Sequence, residues 1–95
     1  MQIKVMADYE CSPLWWDQPD RVGNIRPEDI GLSQTLAADL WAWAAIFDAA
    51  LNDEDPRFSD FKSQAEAIEF GERGRLLTAR VAAELGSAAK VRFAG

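Results

Sequence analysis

Residues 8–11 read Asp-Tyr-Glu-Cys, placing two carboxylates, a phenol and a thiol within four positions. Polar groups gathered at the end of a strand are a common setting for a small ligand or for acid–base work. Asp8, Tyr9 and Cys11 are therefore one candidate ligand site. Covalent catalysis by Cys11 is disfavoured, because a reactive thiolate needs a neighbouring base or cation, and Asp8, Glu10 and Asp17 act in the opposite sense. The chain contains no histidine, which excludes Ser-His and Cys-His nucleophiles and His-ligated metals. Sixteen carboxylates are present, but general acid–base catalysis needs two in different environments across one cleft, and no spacing singles out such a pair. Residues 53–60, DEDPRFSD, offer oxygens from Asp53, Asp55 and Asp60. They lack the glycine and the closing glutamate of a calcium loop, and Arg57 falls in the middle. Gly71 and Gly74 lie inside a helical pattern rather than after a strand, so they form no phosphate loop. The residues imply no catalytic role, no metal and no cofactor.

A second constellation fits binding better. Trp15 and Trp16 sit beside Asp17 and Asp20 in a stretch interrupted by Pro13 and Pro19. Tryptophan is a frequent anchor of protein interfaces, and carboxylates around it steer a basic partner. Trp15, Trp16, Asp17 and Asp20, with Asp53, Glu54 and Asp55 on a later acidic connection, form the expected partner-binding set, the carboxylates standing in for phosphates. In the purely structural alternative both rings fold back over the sheet or over the alanine-rich side of the first helix. Both readings hold together if the two rings point opposite ways.

Charge is distributed unevenly. Between Val5 and Asp60, twelve carboxylates face three arginines, a net of −9, whereas Phe61–Gly95 carries a net of +2. A field of this kind repels nucleic acid and anionic membrane and attracts basic proteins. Basic residues do not interleave with aromatics, so neither nucleic acid nor membrane is an expected partner. No stretch reaches the 18 or so apolar residues of a membrane span. The lone cysteine and the absence of a basic, apolar leader make the expected location cytoplasmic.

These residues must be positioned by a single domain. Ninety-five residues, 48% apolar and 27% charged, suffice for one core without staples. Residues 2–9 alternate Ile3, Val5, Ala7 and Tyr9 with polar neighbours, a half-buried strand. Residues 10–32 carry prolines and glycines at intervals that forbid a long helix. Ser33 caps a helix over 34–52, with Leu36, Leu40, Trp43, Phe47 and Leu51 on one face. Its other side, Ala38, Trp41, Ala42, Ala45 and Ala49, is also apolar, which predicts cover on both sides. Residues 53–62 form an acidic connection that Phe58 and Phe61 are available to pin down. Ser63 and Glu66 make a capping box for a second helix ending at Leu85, with Gly86 as its cap. Phe70, Leu77, Val81 and Leu85 form its inner stripe, Glu69 and Arg73 an i, i+4 pair. Gly74 within that stripe predicts a large ring packed against it, from Trp43 or Trp41. Residues 88–94 alternate as a closing strand.

The resulting fold class is α+β, ordered β-loop-α-α-β: a helix hairpin over a small antiparallel sheet made from the terminal strands, with a hairpin in the long loop as a candidate third strand. Its exposed edge invites a homodimer.

The run MADYECSPLWW, followed by GNIRPEDIGLS, resembles a group of small bacterial proteins of unassigned function that open with a strand, a Met-x-Asp-Tyr-x-Cys-x-Pro-Leu-Trp run and a Gly-Asn-Ile-x-Pro segment. The resemblance covers most of the chain and implies no particular activity. In kind, a compact, acidic domain without catalytic motifs also resembles immunity proteins and antitoxins that plug a cationic toxin domain. That likeness implies a non-enzymatic inhibitor whose partner is a basic toxin, most concretely a nuclease. The competing expectations are a small ligand-binding domain or enzyme at Asp8, Tyr9 and Cys11, and a structural homodimer.

Overall fold

The computed structural model describes residues 1–50 and 64–94. Four strands, β1 (Gln2–Val5), β2 (Leu14–Trp16), β3 (Asn24–Ile25) and β4 (Lys90–Phe93), form one sheet in the order β3-β2-β1-β4. Helices α1 (Gln34–Ala49) and α2 (Gln64–Leu85) cover one face of it. This is the expected α+β class. Leu51, the capping box at Ser63 and the acidic connection fall outside the described residues.

One expectation about the sheet is corrected. β1 and β4, the terminal strands, pair in parallel, Ile3 opposite Val91 and Val5 opposite Phe93, whereas β1–β2 and β2–β3 are antiparallel. The reason lies in residues 10–32, which make three passes rather than one. β2 runs back along β1, β3 returns along β2, and residues 26–33 lead back to the end of the sheet where α1 begins. Ser33 there is bonded to Glu84, near the C-terminal end of α2. Two antiparallel helices then deliver β4 in the direction of β1. The hairpin was foreseeable as a possibility; its effect on strand direction was not.

Strand alternation puts Ile3, Val5, Leu14 and Ile25 in the core, where they meet Leu36, Leu40 and Trp43 of α1 and Leu77 and Val81 of α2. Each such side chain contributes about 1.5–3 kcal/mol by leaving water. Ser33 caps α1, accepting a hydrogen bond from Leu36 N at 3.2 Å. Gly86, at φ +62°, adopts the left-handed conformation that ends α2. Gly74 has the expected packing reason: a Cβ built there would lie 2.6 Å from the ring of Trp43 and 2.5 Å from that of Phe93. Trp43 also stacks on Phe70, centroids 4.4 Å apart, and donates its indole N–H to the Phe70 carbonyl at 2.9 Å.

Among the described residues, none supplies the cover expected over the back of α1. Ala38, Trp41, Ala42, Ala45 and Ala49 are all exposed, because the two helices form a single layer and α2 packs beside α1 rather than over it.

Candidate functional site

Because successive residues of a strand point to opposite faces, the two adjacent tryptophans separate. Trp16, opposite Ile3, belongs to the covered face; it packs against the core, and the Arg21 guanidinium lies over its ring at 4.3 Å. Trp15, opposite Lys4 on one side and Asn24 on the other, belongs to the open face of the sheet. It is half-buried, and its indole N–H donates to the Met6 carbonyl at 3.0 Å, which fixes the ring.

Around Trp15 the open face is knit together by polar contacts. Asn24 donates to the carbonyls of Ser12 and Leu14 at 2.7 and 2.8 Å, and accepts from Ser12 N at 3.1 Å, locking the hairpin that presents the ring. Asp17 reaches diagonally across β1 to Arg92 on β4, accepting from Nε at 2.6 Å and from Nη2 at 3.1 Å. That paired hydrogen bonding, aided by the charges of Arg92 and Lys4, holds the Asp17 carboxyl below its ordinary value. Asp20 is exposed and accepts a hydrogen bond from Gln18 Nε2 at 3.0 Å. Lys4, Lys90 and Arg92 lie on this face with Asp17, so the surroundings of Trp15 are more basic than the carboxylate-rich sequence suggested. The four residues Trp15, Trp16, Asp17 and Asp20 lie in one stretch, where Trp16 packs on the core and Asp17 is paired with Arg92, whereas Trp15 lies on the open face and Asp20 is exposed. Asp53, Glu54 and Asp55 lie outside the described residues.

Asp8, Tyr9 and Cys11 form the tight turn after β1. Tyr9 N donates to Asp8 Oδ1 at 2.7 Å and Cys11 N to the Asp8 carbonyl at 3.4 Å, while Glu10, at φ +58°, is held by a hydrogen bond from its N to Asp48 Oδ1 at 3.1 Å. The Asp8 carboxylate is thus engaged by its own turn, and the side chain at the end of α1 fixes that turn from outside. This geometry is what a structural junction requires. Among the described residues no group of three or more Cys, Asp or Glu side chains is placed to hold a metal ion, and no helix is long and apolar enough to cross a membrane.

The model of the family described as Serratia CdiI immunity protein-like matches residues 1–95. The chain belongs to that family. No curated protein matches it. The likeness in kind to immunity proteins, drawn from charge and from the lack of catalytic motifs, therefore has a family behind it. Within this immunity protein-like chain, the residue that sequence reasoning missed is Arg92. Its alternation in the closing strand marked it as outward-facing, but its partner Asp17 lies 75 positions away, beyond the reach of any local pattern.

Proposed function

We propose that the protein is an immunity protein that neutralises a toxin by binding it, with no reaction of its own. The match of an immunity protein-like family over residues 1–95 carries this reading. Supporting it, the formal charge of −6 favours association with a basic protein, and a basic toxin whose substrate is nucleic acid is the partner such a charge suits. Binding steered by charge is fastest at low ionic strength and slows as salt screens it.

Of the contact residues suggested by sequence, Asp20 stays in the proposal, and Asp53, Glu54 and Asp55 stay on their charge alone. Trp15, Trp16 and Asp17 leave it, since a ring tied to the Met6 carbonyl, a core-packed ring and a carboxylate bound by Arg92 have their interactions inside the chain.

The test is capture from the native cell lysate with the tagged protein at low and moderate salt, followed by mass spectrometry and by co-expression of whatever is captured. A single basic toxin, retained better at low salt and harmless to growth only when this protein is co-produced, is the expected result. Growth arrest that persists despite co-production would refute the reading.

A further inference from the structure

The outer surface of the helix layer differs from the open face of the sheet. α1 and α2 lie side by side and antiparallel, as the Ser33–Glu84, Asp39–Arg80 and Trp43–Phe70 contacts require. Between them, on the side away from the sheet, runs a groove of about 590 Å³. Ile46 and Leu76 form its walls; Ala42, Ala79 and Ala83 leave it shallow and wide. Ile46 is 38% exposed and Leu76 67%, and the surface continues over the α1 alanines to Trp41, itself 38% exposed. Glu28 accepts a hydrogen bond from the Trp41 indole at 2.7 Å, so that ring is held in place. Contiguous exposed apolar surface with a polar rim marks an interaction site.

Charge identifies what covers it. The open sheet face has Lys4, Lys90 and Arg92 against Asp17, an excess of positive charge. The helix layer has the reverse: α1 carries Asp39 and Asp48 with no base, and α2 carries four glutamates against three arginines, a net of −3 for the two helices. Both arginines at the groove are already matched, Arg80 to Asp39 at 2.7 Å and Arg73 to Glu69 at 3.1 Å. A second copy of this chain would bring together two helix layers of net −3 each, which repulsion opposes. A basic partner gains there and loses on the sheet face. Its shape follows from the backbone. The helix N–H and C=O groups are bonded internally, so an added strand has nothing to pair with, whereas small residues along a valley between two helices admit a third helix at close range.

We propose that the groove between α1 and α2 is the docking site for an amphipathic helix of the toxin, apolar along one side and flanked by Lys or Arg. This rests on the immunity reading above and names the surface that performs it.

The probe is a labelled synthetic helical peptide of about 18 residues, with leucines at i, i+3, i+4 and i+7 flanked by lysines, titrated by fluorescence anisotropy. It is measured against the wild-type protein, against Ile46→Ser/Leu76→Ser and Ala79→Trp, which strip and fill the groove, and against Trp15→Ser on the opposite face. Circular dichroism confirms that each variant is folded. Groove variants are expected to bind at least about tenfold more weakly, Trp15→Ser as tightly as wild type, and a glutamate-flanked peptide at least about tenfold more weakly than the lysine-flanked one. No binding to the wild type, or equal binding to the groove variants, overturns the proposal. So does a dimer in sedimentation that Leu76→Ser dissolves, since the occupant is then a second copy. Protection of growth separates the two levels: Ala79→Trp that still protects against the toxin removes the groove and leaves the immunity reading standing, whereas a wild-type protein that protects against nothing removes that reading.

Discussion

On the open face of the sheet, side chains bind one another. Asn24 ties two strands, Asp17 and Arg92 clasp across a third, and the N–H of Trp15 is bonded to Met6. On the open face of the helices, alanines, Ile46, Leu76 and the flank of Trp41 meet solvent, and the charges nearby neutralise each other in pairs beside the groove. The sheet face holds an aromatic ring yet offers a partner few unmet interactions. The alanines, Ile46 and Leu76 of the helix face have no hydrogen bonds to lose, so covering them releases apolar surface from water at little cost in broken hydrogen bonds. An exposed tryptophan is thus a poorer guide to a binding surface than the bonding of the residues around it.

If the two faces are joined by one tight seam, a substitution at that seam disturbs both. Gly74→Val pushes a branched side chain into the rings of Trp43 and Phe93, and we expect a loss of about 2–3 kcal/mol in urea unfolding, with both faces disordered together. A stability unchanged from wild type would show that the layers are loosely coupled. The sheet face should next show its dependence on internal bonds: Asn24→Ala leaves the Ser12 and Leu14 carbonyls without their donor, at a cost of about 1–3 kcal/mol. A smaller, acid-linked effect comes from Asp17 and Glu84, whose carboxyls are both held low, the first by Arg92 and the second by the hydroxyl and N–H of Ser33. Since each titrates lower folded than unfolded, its contribution is present above the ordinary values of 3.8 and 4.5 and is lost as pH falls through the folded ones. Wild type should therefore exceed Asp17→Asn and Glu84→Gln in melting temperature at neutral pH, with the gap closing in acid; a gap that widened there would contradict the assignment. The helix face should give the smallest effect on stability. Leu76→Ser is expected to change it by less than about 0.5 kcal/mol, because that side chain is 67% exposed.

Much of this could be read from local pattern. The alternation of Ile3 and Val5, the Leu36-Leu40-Trp43 stripe, the Ser33 cap and the glycine at position 74 each depend on spacings of a few residues, and each has its expected structural counterpart. β2 and β3 span only three and two residues beside prolines and a glycine, too short for periodicity to register. Their existence decided the direction of β4, so an illegible hairpin misdirected a legible strand. The partner-binding set was legible as a cluster and not as a chemistry, because the cation that engages Asp17 comes from the other end of the chain. The groove did have a signal in the sequence: α1 is apolar nearly all round, and its alanine side is exposed among the described residues.

The parallel pairing of β1 with β4 has a consequence in time. The bond between Met1 and Ala88 spans 87 positions, and the central strand stays open along one side until the segment after α2 arrives. Contacts this remote close slowly because the intervening chain must be ordered first. During synthesis the hairpin and α1 can form early, but the sheet is completed only after β4 has left the ribosome, so the layer beneath the two helices closes after the helices themselves are made.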